Sequence, residues 1–111
     1  MTVKVRRAGE VTVIDVEGSL TAGAQANALR VTVDDLLAQG HHRIVINMQK
    51  AKFIDSEGLG EMLACKKKAL EKRGDVKLLM LSDKVYGVLV DASLTRVFQT
   101  FRDEASAVGS F

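Results

Sequence analysis

The segment Phe53–Gly60 carries the residue types best suited to chemistry. Its sequence, FIDSEGLG, places the hydroxyl of Ser56 between the carboxyl groups of Asp55 and Glu57. A nucleophilic serine requires a general base to accept its proton, usually a histidine that the fold brings to it. Neither histidine of the chain is near Ser56 in sequence, and the segment does not match the G-x-S-x-G turn of hydrolases. We therefore do not expect Ser56 to act as a catalytic nucleophile, and we do not expect an enzyme.

The same segment is also a poor phosphate-binding loop. The pattern G-x-x-x-x-G-K-[ST] does not occur in the chain, and the two carboxylates beside Ser56 would repel an anion. The simplest interpretation is structural, with Asp55 or Ser56 as a helix N-cap and Glu57 favouring the helix dipole. Gly58 and Gly60 each cost about 1 kcal/mol relative to Ala in a helix. Their presence indicates that another backbone or a protein surface approaches closely.

An apolar run at Arg43–Met48 precedes this segment and predicts a buried central strand. A helix is predicted to follow from about Gly58 to Arg73, so Ser56 lies where a strand passes into a helix. In open α/β sheets, functional residues gather at the loops beyond the carboxyl ends of the strands. The spacing of apolar residues predicts that the helix turns five side chains inward: Leu59, Met62, Leu63, Ala69 and Leu70.

The remaining elements predict an α/β fold around the same strand. Val3–Arg6 and Val11–Glu17 are Val-rich runs that Gly9 joins as a β-hairpin. Strands then alternate with helices, which implies parallel pairing through right-handed crossovers. The other predicted elements are helix Ala22–Gln39, strand Val76–Leu81, a short helix capped by Ser82, strand Val97–Phe101 and a last helix capped by Asp103. We expect a small mixed β-sheet of about five strands, in the order β-β-α-β-α-β-α-β-α, with a layer of helices.

The composition fits a single small domain spanning residues 1–111. The chain has 47% hydrophobic and 27% charged residues, an average balance for a globular domain. Its net charge of +2 argues against strong direct binding to nucleic acid or to a membrane surface. The sequence lacks an apolar run long enough for membrane insertion, and its first residues lack the apolar core of a signal peptide. Because Cys65 is the single cysteine, we expect no disulfide, no multi-cysteine metal site and a cytoplasmic location.

Two further groups of residues have plain structural interpretations. Five cations cluster on the predicted second helix: Lys66, Lys67, Lys68, Lys72 and Arg73. Since aromatic residues make up only 5% of the chain, no ladder for base stacking accompanies them, and the cluster reads as a solvated helix face. His41 and His42 follow Gly40 and have no partners at metal-ligand spacing, which is typical of a helix C-terminus. We expect neither a metal nor a cofactor.

Several segments of the chain together resemble one known family. The motif F-I-D-S-x-G-L-G at Phe53–Gly60 stands between a predicted strand and a predicted helix. It is accompanied by Val13–Leu20 (VIDVEGSL), by Ile44–Met48 and by Val88–Phe98 (VLVDASLTRVF). This arrangement resembles the STAS domain of bacterial anti-sigma factor antagonists, and the resemblance covers almost the whole chain. It implies a STAS-like fold.

The resemblance also implies a function and a set of partners. In such proteins the serine that follows the aspartate is the phosphoacceptor, which here is Ser56. The implied partner is an anti-sigma factor that is itself a serine kinase of the histidine-kinase-like ATPase fold, and a PP2C-type phosphatase reverses the modification. The unphosphorylated antagonist binds the anti-sigma factor and so frees the sigma factor for transcription. The partner-binding residues implied around Ser56 are Thr21, Asp55, Glu57, Gly58, Leu59 and Gly60.

The sequence departs from the family pattern at two positions. Family members commonly carry Ser or Thr after the phosphoacceptor, whereas this chain carries Glu57, a permanent negative charge beside the switch. Antagonists often show a G-x-L-D pattern after the second strand, whereas the segment Gly18–Thr21 ends in threonine. Two functions therefore stay open. One is an anti-sigma factor antagonist switched by phosphorylation, and the other is a STAS subunit that binds a transporter or signalling complex constitutively.

Overall fold

The computed structural model describes residues 2–21 and 24–111, with the side chains of residues 24–26 outside the description. Its elements follow the predicted order. They are β1 (Thr2–Ala8), β2 (Val11–Leu20), α1 (Ala24–Ala38), β3 (Arg43–Ile54), α2 (Ser56–Glu71), β4 (Asp75–Leu79), α3 (Asp83–Asp91), β5 (Thr100–Phe101) and α4 (Glu104–Gly109). The predicted start of the first helix at Ala22 lies outside the described residues.

The strands form one mixed sheet in the spatial order β1-β2-β3-β4-β5. β1 pairs antiparallel with β2 through a turn in which Gly9 has a φ of +66°, as the predicted hairpin requires. The remaining neighbours are all parallel, which confirms the crossover connections predicted from the alternation of strands and helices. β2 and β3 stay paired to their last residues, Leu20 and Ile54, although two register shifts interrupt the ladder.

Apolar side chains cover both faces of the sheet. On one face, residues such as Ile14, Ile44 and Leu78 are fully buried beneath α1, α2 and α3. On the other face, residues such as Val13 and Val45 pack with Ala107 of the short helix α4. The expected layer of helices is therefore α1 to α3, and α4 adds partial cover on the opposite side. Within the described part of the chain, no helix combines the length and apolar character needed to cross a bilayer.

Several element boundaries differ from the predicted ones: β1 and β2 extend beyond the predicted runs, and β4 ends at Leu79 rather than at Leu81. β3 continues to Ile54 rather than ending at Met48, because its second half keeps pairing with the end of β2. α2 begins at Ser56 and ends at Glu71, rather than spanning Gly58 to Arg73. β5 is only two residues long, so most of the predicted strand from Val97 is irregular.

The predicted inward face of α2 is correct for four of its five residues, since Leu63 also packs against the core. Leu59, Met62 and Ala69 are buried and Leu63 is half-buried, but Leu70 is 53% exposed. The helical period does not explain this exposure, since Leu70 lies about three turns after Leu59 on nearly the same face of α2. The sheet and the neighbouring elements cover Leu59 and leave the end of the helix at Leu70 uncovered.

Candidate functional site

The N-terminus of α2 is held by Asp55, the residue between β3 and the helix. Asp55 has an extended backbone, and its carboxylate accepts a hydrogen bond of 2.8 Å from the backbone N–H of Gly58. Its own backbone N–H donates to the carbonyl of Leu20 over 3.2 Å, which ties the loop to the end of β2. Of the two residues predicted as the N-cap, Asp55 therefore takes the role, and Ser56 is the first residue of the helix.

Ser56 and Glu57 are exposed on the first turn of α2. Because the carboxylate of Asp55 serves the Gly58 amide, this capping bond does not depend on the Ser56 hydroxyl. The positive end of the helix dipole lies beside both residues and favours negative charge there. The Ser56 hydroxyl is thus presented to solvent at a helix tip, next to the fixed carboxylate of Glu57.

Gly58 is buried because a backbone segment approaches it closely, as its position in the motif indicates. A Cβ on Gly58 would lie 2.1 Å from the carbonyl oxygen of Leu20, a contact that no side chain can make. The approaching backbone belongs to this chain and not to a partner. Gly60 differs, because a Cβ placed there would meet nothing within 4 Å.

The remaining predicted partner-binding residues divide by exposure. Thr21 directly follows Leu20, which pairs with Ile54, so Thr21 and Asp55 lie side by side at the carboxyl edge of β2 and β3. Thr21 is half-buried, and Leu59 is buried under the helix. The residues that present open surface around Ser56 are Glu57 and Gly60, while Gly58 and Leu59 support that surface from beneath.

A cation and an aromatic ring next to the motif were not among the predicted site residues. Phe53 is 48% exposed although it belongs to β3, and the ammonium group of Lys84 lies 3.7 Å from the centre of its ring. Lys84 comes from the first turn of α3, so this contact brings a third element next to the junction between β3 and α2 where Ser56 lies. Sequence offered one signal, since Phe53 and Ile54 are consecutive apolar residues at the end of the strand and only one of them can face the core.

The other candidate residues occupy structural positions. Cys65 is buried in the core, and burial raises the pKa of its thiol to about 12, which keeps it protonated. The Nη1 group of Arg7 donates to Nδ1 of His41 over 2.7 Å. A search of the described residues finds no group of three or more His, Cys, Asp and Glu side chains that could hold a metal ion.

This geometry defines a small α/β module with an exposed serine at a helix tip on the carboxyl edge of its sheet. The family model of the STAS domain matches residues 2–107, and the chain therefore belongs to the STAS domain family. The predicted family is thereby confirmed. A comparison with curated proteins finds no significant match.

Solved structures show the same fold at low sequence identity. A Thermotoga maritima protein assigned to the anti-sigma factor antagonists superposes with a TM-score of 0.89 at 21% identity, covering 96% of this chain and 92% of that one. The Bacillus cell fate determinant SpoIIAA in its phosphorylated form superposes with a TM-score of 0.76 at 22% identity, covering 97% of both chains. A sulfate transporter family protein from Wolinella succinogenes gives a TM-score of 0.73 at 14% identity, covering 90% of this chain and 83% of that one. Anti-sigma factor antagonists and a transporter family protein thus share this fold.

Proposed function

We propose that the protein is a bacterial, cytoplasmic anti-sigma factor antagonist whose binding to an anti-sigma factor is switched off by phosphorylation of Ser56. The observation that carries this proposal is the division of roles between Asp55 and Ser56. Asp55 caps α2, so a phosphoryl group on Ser56 leaves the capping bond in place. The helix tip can therefore keep its shape while its charge changes.

The modifying enzyme in this proposal is the anti-sigma factor itself, a serine kinase of the histidine-kinase-like ATPase fold. The Ser56 oxygen forms a bond to the γ-phosphorus of ATP while the bond to the ADP oxygen breaks, and the hydroxyl proton passes to a base on the kinase. A PP2C-type phosphatase removes the group with water. In this cycle the protein is the substrate and the bound partner, and it contributes no catalytic group.

The switch rests on electrostatic repulsion at the interface. A phosphate on Ser56 adds roughly −1.5 to −2 charges, which the helix N-terminus tolerates in the free protein. One partner carboxylate about 6 Å away, at an effective dielectric constant of about 20, would repel this charge by about 5 kcal/mol before screening. Half of that energy weakens binding about 60-fold. A change of charge alone, without a change of fold, is sufficient for the switch.

Glu57 is the feature that favours the second candidate function, a constitutive STAS subunit of a transporter or signalling complex. Its carboxylate is exposed one residue after Ser56 and cannot be removed by a phosphatase. A partner that binds despite the charge of Glu57 loses less affinity when a phosphate is added to Ser56, so it distinguishes the two forms of the protein less well. Thr21, where antagonists often have aspartate, also lacks a carboxylate to offer the kinase partner.

The proposed switch is tested by incubating the protein with ATP and the candidate kinase and then measuring its intact mass. We expect a mass gain of one phosphate group in the unaltered protein and no gain in Ser56→Ala. Ser106 provides a matched control, since it is also an exposed serine in the first turn of a helix, and Ser106→Ala should be phosphorylated normally. Ser56→Asp should weaken partner binding. Normal partner binding by Ser56→Asp, together with no mass gain, would establish the constitutive function instead.

A further inference from the structure

The basic cluster on α2 is not a uniform solvated face. Lys66 forms an ion pair with Asp75, and Lys68 forms one with Asp34 at 2.9 Å, so both lysines join α2 to neighbouring elements. Across the described ranges, the other cations of the cluster are exposed and have no ion pair: Lys67, Lys72 and Arg73. They stand at the C-terminal half of α2 and just beyond it, away from Ser56.

An apolar groove lies beside these free cations. Its volume is about 620 Å³, and its apolar lining comes from Leu63, Leu70 and Val97. Leu70 and Val97 are 53% and 38% exposed, although Leu70 continues the buried face of α2. Contiguous apolar surface of this kind, with a polar rim, is typical of an interaction site.

The charge around the groove is predominantly positive. Lys67 lines it and Arg96 directly precedes Val97, and neither forms an ion pair within the part of the chain that the structure describes. Glu71 is the acidic residue of the lining, and Lys72 follows it in the chain. An occupant that complements this groove is apolar on one side and acidic on the flanks.

We propose that this groove binds an acidic amphipathic helix of a partner protein, independently of the surface around Ser56. Leu63 and Leu70 are two helical turns apart, about 10 Å along the axis of α2. A partner helix lying along α2 presents apolar side chains at i, i+4 and i+7 over the same length. Leu70 is about 21 Å along the helix axis from Ser56, so the two ends of α2 serve different contacts.

The test uses a fluorescein-labelled synthetic peptide of about four helical turns, with Leu at i, i+4 and i+7 and mostly Glu at the remaining positions. We expect its fluorescence anisotropy to rise on titration with the protein. Leu70→Ser should weaken binding at least about tenfold, because an anchor buried in the complex is lost. Lys67→Glu should also weaken binding, and added salt should reduce the affinity of the unaltered protein.

Matched controls distinguish binding at this groove from nonspecific hydrophobic binding and from binding at the Ser56 surface. Val31 is exposed to a similar degree on α1, so Val31→Ser should bind the peptide normally, as should Ser56→Ala. A peptide with Lys in place of Glu, and one with Ala in place of Leu, should not bind.

Two results would overturn the proposal. The first is that Leu70→Ser binds the acidic peptide as tightly as the unaltered protein does, or that no binding occurs up to about 1 mM peptide. The second is Leu70-dependent binding to phosphatidylglycerol vesicles or to duplex DNA without binding to the peptide, which would assign the groove to a membrane or to nucleic acid. Because Ser56→Ala is included, failure of this site and failure of the phosphorylation switch are distinguishable.

Discussion

Gly58 and Gly60 stand two residues apart in the first turns of α2, yet the structure uses them differently. The carbonyl of Leu20 occupies the space where a Gly58 side chain would begin, at 2.1 Å from its Cβ position. Since this carbonyl also accepts the backbone N–H of Asp55, it cannot move away without breaking the bond that ties β2 to the loop. Around Gly60 there is only open space.

We predict that Gly58→Ala lowers the free energy of unfolding by about 2 kcal/mol or more, because the added methyl group forces the end of β2 away from α2. Gly60→Ala is the matched control and should raise the free energy of unfolding by about 0.5 to 1 kcal/mol, since Ala is the better helix former. Urea unfolding of both variants measures the two changes. Equal effects at the two positions would show that the Leu20 contact does not restrict residue 58.

Sequence predicted that another backbone or a protein surface would approach these glycines, but it did not decide between the two or identify the segment. The approach to Gly58 depends on the register of β2 against β3, which places Leu20 opposite Ile54. That register includes two shifts that the hydrophobic pattern does not reveal. Nothing in the structure explains the choice of glycine at residue 60, so its role in partner binding stays a prediction.

Helices and strands can be predicted from the sequence wherever their buried apolar residues recur at regular spacing. The order of strands and helices and the caps Ser82 and Asp103 were all predicted and are all present. The second half of β3 was missed because Gln49, Lys50 and Lys52 are exposed and give it no apolar alternation. Those residues belong to the strand because β2 continues beside them.

The predicted start of α2 is too late because Gly58 and Gly60, in the first two turns of the helix, have low helix propensity. In the structure, Asp55 compensates for their low helix propensity by accepting the Gly58 amide hydrogen bond. The cap and the glycines thus work together, and the helix begins at Ser56.

We predict that Asp55→Ala lowers the free energy of unfolding by about 1 kcal/mol, because the Gly58 N–H loses its acceptor. Asp55→Asn keeps an acceptor in the same place and should lower it by clearly less. Urea unfolding at neutral pH compares the two variants. If Asp55→Asn is as unstable as Asp55→Ala, the charge of Asp55 and not its capping bond holds the loop.

At the scale of the whole molecule, an ion network joins the first strand to the last helix. The Nε group of Arg6 donates to Asp15 over 2.7 Å, and its Nη1 group donates to Glu104 of α4 over 2.9 Å. Asn47 of β3 adds a 2.8 Å bond to the same Asp15 carboxylate. Side chains from β1, β2, β3 and α4 therefore meet on the sheet face that α4 covers only in part. Sequence could not predict this network, because Arg6 and Glu104 are brought together only by the completed sheet.

The network should make stability depend on pH in the acid range. Hydrogen bonds from Arg6 hold the pKa of Asp15 and of Glu104 below their ordinary values of 3.8 and 4.5. A carboxyl group with a lowered pKa in the folded state binds fewer protons there than in the unfolded state. Its contribution to the free energy of unfolding is therefore present at pH values above the ordinary pKa and is lost as pH falls below that pKa. Since the three side chains are about one-third to two-fifths exposed, each pair contributes about 1 kcal/mol or less.

We predict that Arg6→Met lowers the free energy of unfolding at pH 7 and lowers it by less at about pH 2, because the contribution of two carboxyl groups with lowered pKa is lost progressively below their ordinary pKa values. Arg43→Met is the matched control, because Arg43 pairs with Glu10 at 3.0 Å on a more exposed surface, where solvent screening leaves little to lose. Urea unfolding of the unaltered protein and of both variants, at pH 7 and at about pH 2, gives the change in the free energy of unfolding for each variant at each pH. If Arg6→Met lowers the free energy of unfolding as much in acid as at neutral pH, the ion network does not stabilise this face. The aliphatic part of the Arg6 side chain, packed on the sheet, would then be the stabilising group. A loss confined to neutral pH would show that charge joins the first hairpin to α4.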